Sequence, residues 1–192
     1  MALTATMYTF DVQLMDVDRG VYETLDIRVA QHPSETDEYM VTRVLAYCLE
    51  YTEGIGFSKG IADPGEPAIA VRDLTGAVRV WIDIGAPDAA RLHKASKTAA
   101  RVVVYTHRDS EQVIRQWAGA RIHRREALEI YRVDGALLDW LVARLDRRTS
   151  FTLSVTSQDL YITMDAAVVE GRVMRIALPP RADAVTPQVD RL

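Results

Sequence analysis

The segment that most constrains the fold runs from residue 66 to residue 106, where a hairpin, a helix and an apolar strand follow one another. The hairpin has a turn of Asp-Leu-Thr-Gly at residues 73–76, and its second strand, 78–84, alternates aliphatic with other side chains. A helix is predicted from about Pro87 to Ala99. Residues 101–106, Arg-Val-Val-Val-Tyr-Thr, form the kind of continuous apolar strand that is buried on both faces beside a parallel neighbour. The segment therefore predicts a mixed sheet with helices packed on it.

Strand patterns also flank this segment on both sides. Residues 4–15 and 21–30 predict an opening hairpin, and a helix follows with Ser34 as its N-cap and acids in its first turn. The predicted fold class is α/β, with a mixed α+β sheet. Residues 1–178 are expected to form one domain, and residues 179–192 a flexible tail. Three more strands are predicted near the C-terminus, at 150–157, 160–164 and 168–178.

Composition and charge narrow the class of protein. The 192 residues carry a formal net charge of −4, so no overall positive field attracts nucleic acid, and such a role requires a local basic patch. No apolar run approaches the ~20 residues that a membrane-spanning helix needs. The N-terminus lacks a basic segment before a long apolar run, so a signal peptide is not predicted. The single cysteine, Cys48, fits a small buried hydrophobe in a reducing compartment. A cytoplasmic protein is expected.

Asp83 is the first candidate functional residue. The period of two in a strand places the aliphatic residues 78, 80, 82 and 84 on one face and puts Asp83 on the other face, beside Trp81. Aspartate is disfavoured inside strands, so its position requires a reason. One alternative is a functional acid. The other is an exposed acid at the strand end, paired with Arg79 or a nearby lysine.

Other acids are predicted near the same part of the sheet. Glu66 opens the neighbouring strand, with a solvated loop carboxylate as the alternative interpretation. The apolar core positions of the early helix are 41, 44, 45 and 48. Asp37 and Glu38 lie three or four residues before these positions, so they are expected to face the sheet, whereas Glu35 and Tyr39 are expected to point away. Compensation of the helix dipole is the alternative explanation for these acids.

Cations are available to balance these acids. Arg91 and Lys94 lie three residues apart on the helix after Asp83, within reach of a phosphate oxygen, and Lys59 is a further cation near the entry to this region. A solvated cationic face is the alternative. Carboxylates that converge repel one another, so such a cluster requires a cation, and oxygen ligands favour Mg²⁺ or Mn²⁺. Basic clusters at 123–125 and 144–148 could contact a polyanion, with solvated faces or structural ion pairs as the alternative.

Short stretches distributed over the whole chain resemble the YaeQ family of small bacterial proteins. The resemblance implies a variant of the PD-(D/E)XK nuclease fold, with a restriction-endonuclease-like core of helix, three strands, helix and strand and extra strands at both ends. The stretches are residues 1–10 (MALTATMYTF), 32–38 (HPSETDE), 57–60 (FSKG), 65–67 (GEP), 81–85 (WIDIG), 87–88 (PD), 94–95 (KA) and 104–105 (VY).

The resemblance also implies a set of site residues. Glu66 would be the acid of the second core strand and Asp83 the acid of the (D/E)XK element, and both would bind the metal. The acid of the first helix would be Glu38 or a neighbour.

This chain departs from the family pattern at two positions. Gly85 stands where the lysine of the (D/E)XK element is expected, so Lys94 on the following helix is the substitute. Ala68 stands where other members carry an acid.

Two functions are compatible with these residues. The first is a Mg²⁺-dependent, nuclease-like phosphodiesterase acting on nucleic acid, in which Lys94 orients or activates water. The second is a protein that keeps the scaffold without catalysis and binds nucleic acid or protein, in transcription or RNA metabolism. Fold class alone does not decide between them, and the sequence leaves the oligomeric state open.

Overall fold

The computed structural model describes residues 5–58 and 65–179. Within these ranges the chain forms ten strands and four α-helices. The strands are β1 (Thr6–Asp16), β2 (Val21–Gln31), β3 (Ile55–Phe57), β4 (Ile69–Arg72), β5 (Val78–Ile84), β6 (Arg101–Thr106), β7 (Glu129–Val133), β8 (Arg148–Thr156), β9 (Asp159–Met164) and β10 (Ala167–Arg175). The helices are α1 (Asp37–Leu49), α2 (Ala89–Thr98), α3 (Ser110–Trp117) and α4 (Gly135–Val142).

All ten strands belong to one mixed sheet with the order β2-β1-β8-β9-β10-β7-β6-β5-β4-β3. Neighbours are parallel in the pairs β1/β8, β5/β6 and β6/β7 and antiparallel elsewhere. Strand β10 joins the two halves of the sheet, because its residues 167–172 pair with β9 and its residues 173–175 pair with β7. The predicted order of helix, three strands, helix and strand is present as α1-β3-β4-β5-α2-β6.

The sheet is strongly curved and nearly barrel-shaped, and it has a core on each side. Helices α1 and α4 contribute to the inner core together with both halves of the sheet. Helices α2 and α3 pack on the outer face of β5, β6 and β7. The alternation in β5 follows the predicted faces, since Ile82 and Ile84 belong to the inner core and Trp81 to the outer one. No helix in the described ranges is long and apolar enough to cross a membrane.

Helix α1 is largely buried, and eight of its thirteen residues belong to the interior. Its N-cap is Thr36, whose hydroxyl accepts a hydrogen bond from the Tyr39 N–H at 3.2 Å. The prediction of Ser34 as N-cap is wrong, because the Ser34 hydroxyl instead contacts the His32 ring at 2.6 Å in the preceding turn. Cys48 is fully buried, and burial raises the pKa of its thiol to about 12, which fits the predicted buried hydrophobe.

The segment before α1 carries a buried ion pair. Glu35, expected to point away from the sheet, is 8% exposed and accepts two hydrogen bonds from Arg43, at 3.2 and 3.0 Å. The expectation failed because Glu35 precedes the N-cap, so the angular spacing of helical residues does not apply to it. Burial raises the pKa of Glu35, and the positive charge of Arg43 opposes that rise.

Candidate functional site around Asp83 and Arg91

Asp83 lies near the carboxyl end of β5, on the outer face of the sheet beneath α2, and only 2% of it is exposed. Its Oδ1 accepts hydrogen bonds from Nη2 of Arg91 at 2.7 Å and from the backbone N–H of Ala68 at 3.3 Å. Its Oδ2 accepts from Nε of Arg91 at 2.8 Å and from the indole Nε1 of Trp81 at 2.9 Å. The buried carboxylate therefore has a bidentate cationic partner and two neutral donors.

This arrangement differs from the exposed ion pair that the sequence suggested. Arg79 lies on the same face of β5, but its Nε donates to Asp73 at 2.7 Å in the β4–β5 turn. Asp83 lies further along the strand, where α2 covers it and supplies Arg91 instead. Of the two alternatives, the exposed acid paired with Arg79 is therefore wrong, because strand periodicity gives the face of a residue and not what covers that face.

Arg91 connects three parts of the chain. Its Nη2 donates to the backbone carbonyl of Glu66 at 2.6 Å as well as to Asp83, and its guanidinium lies 5.6 Å from the centre of the Trp81 ring. The Asp88 side chain caps α2 by accepting from the Arg91 N–H at 2.7 Å. Burial disfavours the charged guanidinium, but its hydrogen bonds and charge attraction to Asp83 outweigh that effect and raise the pKa of Arg91.

Glu66 reaches this cluster through its backbone and not through its side chain. The Glu66 carboxylate is directed to Arg72, at 3.8 Å, and is 42% exposed. The position after Pro67, where the family pattern has an acid, is Ala68, which is buried and supplies only its N–H to Asp83. The predicted meeting of the two carboxylates is therefore not seen in this arrangement.

Of the two predicted lysines, the structure describes Lys94 but not Lys59. Lys94 is exposed on α2, and its Nζ lies 3.4 Å from the carbonyl of Gly65. Among the described residues, Lys94 forms no ion pair with Asp83 or Glu66. Lys59 lies outside the described residues, so its predicted contribution stays a prediction.

Glu38 lies at the start of α1, half-buried. Hydrogen bonding from its own backbone N–H and from the Thr36 hydroxyl lowers the pKa of Glu38, and the nearby His107 adds a smaller effect in the same direction. No hydrogen bond or ion pair among the described residues joins Glu38 to Asp83.

Tyr39 and His107 are neighbours of this region that the sequence reasoning missed. Their rings lie 6.4 Å apart in an edge-on arrangement. Burial raises the pKa of Tyr39 to about 12, with smaller contributions from surrounding charges that include Asp83 and Arg91. Burial lowers the pKa of His107, and its Nδ1 is buried without a hydrogen-bond partner among the described residues. The available signal was position, because His107 directly follows the carboxyl end of a parallel strand.

Gly85 explains why the expected lysine is absent. Its φ is 81°, in the left-handed region that strains residues with a side chain. A Cβ there would lie 3.7 Å from the Tyr39 ring and 3.8 Å from His107, which is ordinary contact. Backbone conformation, rather than lack of space, therefore favours glycine at this position.

The donor set around Asp83 does not fit a divalent ion in this arrangement. Both oxygens of its carboxylate already accept two hydrogen bonds each, and the Glu66 carboxylate points to Arg72. Over residues 5–58 and 65–179, no three His, Cys, Asp or Glu side chains are grouped so that they could hold a metal.

The fold and this cluster define a mixed α/β protein with a nearly barrel-shaped sheet and a buried aspartate–arginine pair between the sheet and an outer helix. The chain belongs to the YaeQ family, because the family model described as YaeQ protein matches residues 1–173. The resemblance inferred from the sequence is thus confirmed. Placement in the PD-(D/E)XK class stays a prediction.

Related proteins support the family assignment along most of the chain. The protein named Uncharacterized protein YaeQ from Escherichia coli (strain K12) is 32% identical over 160 residues, which cover 83% of this chain and 87% of the relative. The Salmonella typhi protein of the same name is 31% identical over the same coverage.

Two solved YaeQ structures share the fold. The crystal structure of the Pseudomonas syringae protein has a TM-score of 0.78 at 31% identity and covers 90% of this chain and 96% of its own. The crystal structure of the Xanthomonas axonopodis pv. citri protein has a TM-score of 0.81 at 31% identity, and the match covers 92% of this chain and 100% of that protein.

Proposed function

We propose that this protein is a nucleic-acid-binding member of the PD-(D/E)XK-like class that does not cut its ligand. The observation that carries the proposal is the bidentate pair between Arg91 and Asp83. A metal ion at Asp83 would have to displace Arg91 from a buried carboxylate, and breaking a buried pair costs about 3–5 kcal/mol. The carboxylate is therefore better suited to holding α2 on the sheet than to holding a metal.

Binding is supported by a different part of the surface, which we call the arginine–aromatic patch (Tyr8, Trp140, Arg144 and Arg147). The Arg144 guanidinium lies 3.9 Å from the centre of the Trp140 ring, and that of Arg147 lies 5.2 Å from the Tyr8 ring. Both arginines are exposed, and neither is in an ion pair among the described residues. Exposed arginine beside aromatic rings is typical of surfaces that bind single-stranded nucleic acid.

The other two basic features are less suited to this role. Arg148 is held by Asp11 through two hydrogen bonds, at 2.8 and 3.3 Å, so its charge is already paired. In the 123–125 cluster, Arg125 is 9% exposed and donates to the Trp117 carbonyl at 2.6 Å, which makes it structural. The local patch required by the net charge of −4 is therefore the arginine–aromatic patch.

The test is fluorescence anisotropy with labelled single-stranded RNA and DNA over a salt series. We expect the double variant Arg144→Ala/Arg147→Ala to bind about tenfold more weakly, since a loss of ~1.4 kcal/mol is a factor of ten. The salt slope should fall by about 1.4, because each lost phosphate contact on a single strand removes about 0.7. The matched control is Arg115→Ala, an exposed arginine on α3. Equal binding by the double variant and the wild type, or no binding at all, would overturn the proposal.

Mg²⁺-dependent, nuclease-like cleavage is the second candidate function, and one observation favours it. Arg91 contacts both Asp83 and the Glu66 carbonyl, and Lys94 contacts the Gly65 carbonyl, so α2 links β5 to the backbone of residues 65–66. Calorimetry with Mg²⁺ and Mn²⁺ on the wild type and on Asp83→Asn, followed by cleavage assays, separates the two candidates. Metal binding that disappears in Asp83→Asn, together with cleavage, favours the nuclease. No binding below millimolar metal favours the binding protein.

A further inference from the structure

A cavity of about 410 Å³ lies on the inner face of the sheet, on the opposite side of β5 and β6 from Asp83. The β1–β2 turn, the end of α1 and strands from both halves of the sheet line it. Its volume is in the range of small-molecule sites. The aliphatic side chains in its wall are Leu49, Val71, Val80, Val155, Leu160 and Val173.

A charged network is centred on Arg101, and its members Arg101, Glu50, Tyr105 and Tyr131 line the cavity, whereas Glu129 does not. Arg101 donates to Glu50 at 2.5 and 3.1 Å and to Glu129 at 2.7 and 2.7 Å, so a single guanidinium is bidentate to two carboxylates. The Tyr105 hydroxyl donates to Glu50 at 2.9 Å, and the Tyr131 hydroxyl donates to Glu129 at 3.1 Å. The two tyrosine rings are stacked, with centroids 5.3 Å apart.

These contacts use most of the hydrogen-bond donors of Arg101 but leave acceptor positions on the carboxylates open. Arg101 has five N–H groups and uses four in the bonds to Glu50 and Glu129. Each carboxylate oxygen can accept two hydrogen bonds. Among the contacts of the described residues, Oε2 of Glu50 and Oε1 of Glu129 each accept only one, both from Arg101. In the wall, the Glu50 carboxylate therefore keeps an open acceptor position for a ligand.

The charge count points in the same direction. Of the charged residues that line the cavity, Asp16, Asp18 and Glu50 are acidic and Arg19 and Arg101 are basic, so the lining has one negative charge in excess. Hydrogen bonds from Arg101 lower the pKa of Glu129, so this carboxylate is ionised at neutral pH. In the turn, Arg19 is neutralised by Asp16 at 2.6 Å. Asp18, also in the wall, is held only by the backbone N–H groups of residues 157 and 158 among the described residues.

We propose that this cavity binds a small organic cation, with an ammonium or amidinium group near Glu50 and a short apolar or aromatic body against Tyr131 and the aliphatic wall. The open acceptor position on Glu50 selects a donor head group, and the net negative charge of the lining selects a positive one. The aliphatic wall and the stacked tyrosines select a body that is neither large nor highly polar. The proposal is independent of nucleic-acid binding, because it uses the inner face of the sheet and none of the arginine–aromatic patch.

Calorimetry with three probes that share one ring tests the charge selection: tyramine as the cation, p-cresol as the neutral molecule and 4-hydroxyphenylacetate as the anion. We expect binding in the order tyramine, p-cresol, 4-hydroxyphenylacetate. Glu50→Gln should weaken tyramine at least about tenfold while changing p-cresol little, because a charge interaction of ~1.4 kcal/mol or more is lost. Glu53→Gln, an exposed glutamate just beyond α1, is the matched control and should bind as the wild type does.

A second variant keeps the test decisive if Glu50→Gln folds poorly. Val80→Phe adds volume in the wall without changing any charge, and it should weaken tyramine and p-cresol alike. The proposal is overturned if tyramine does not bind the wild type, if the anion binds as well as the cation, or if Val80→Phe leaves tyramine affinity unchanged. Nucleic-acid affinity measured on the same variants should not change, so failure here is distinct from failure of the proposed function.

Discussion

Removing Arg91 leaves the carboxylate of Asp83 buried with only its two neutral donors. The variant Arg91→Met keeps an unbranched apolar stem but deletes the two hydrogen bonds to Asp83 and the one to the Glu66 carbonyl. Truncating one partner of a buried ion pair costs about 3–5 kcal/mol. Because the Arg91 side chain is 20% exposed, water can partly replace it, and we expect the lower end, about 3 kcal/mol.

This loss is measurable in urea unfolding and in thermal unfolding. A loss of about 3 kcal/mol in a chain of this size corresponds to a fall in Tm of roughly 6–12 °C. The control is Arg79→Met, since that arginine is 65% exposed and pairs with Asp73 in a turn, and its unfolding midpoint should match the wild type within error. The double variant Arg91→Met/Asp83→Asn should be more stable than the sum of its two single variants predicts, because the neutral amide needs no cation.

The change in the free energy of unfolding caused by Asp83→Asn distinguishes a structural role of this carboxylate from a metal-binding one. A metal-binding carboxylate kept in an unfavourable environment gains stability when its charge is removed, as functional sites do in the stability–activity trade-off. A carboxylate that holds α2 through Arg91 loses stability, because an uncompensated guanidinium remains. A stabilised Asp83→Asn, or a loss below about 1 kcal/mol in Arg91→Met, would refute the assignment of the pair as structural.

Three further results are expected. Gly85→Lys should lose about 1–2 kcal/mol in urea unfolding because of its positive φ, and should gain no cleavage activity on plasmid DNA; a stable, cutting variant would contradict this. Cys48 should not react with a thiol reagent in the native protein and should react once it is unfolded, because it is buried with a pKa of about 12; rapid native labelling would contradict this. Since Arg101 lowers the pKa of Glu129 in the folded state, the unfolded state binds more protons, and stability should fall as pH decreases below the ordinary value of 4.5. Glu129→Gln should show a shallower acid-side loss in pH-dependent unfolding, and an unchanged slope would contradict the assignment.

The sequence predicted the local elements better than the way in which the sheet closes. The hairpin, helix and strand between residues 66 and 106 carry clear periodicity, and all three are present. The parallel pairing of β1 with β8 is invisible to such reasoning, because its partners are about 140 residues apart and neither strand signals the other. The same holds for β10, which changes its partner halfway along its length.

The candidate site shows the corresponding limit at the level of side chains. Periodicity placed Asp83 beside Trp81 on the outer face, and the hydrogen bond between them agrees. It could not show that Arg91 would enter the same pocket, because that depends on how α2 lies across the strand. Arg91 was expected to face a phosphate, and the structure pairs it with Asp83 instead. Tyr39 was expected to point away and instead packs beside Gly85.

The two faces of β5 and β6 illustrate why charge balance matters more than residue type in assigning a role. On the outer face one carboxylate meets one guanidinium and two neutral donors, so Asp83 has no charge left to offer a ligand. On the inner face one guanidinium, that of Arg101, is shared by the carboxylates of Glu50 and Glu129, and Glu50 lines a cavity with one oxygen that accepts only a single hydrogen bond among the described residues. An acid becomes a binding group when its neighbours leave part of its charge and its lone pairs unused. By that criterion Glu50, which lies in no family motif, is a better candidate for a ligand-binding group than Asp83, which lies in one.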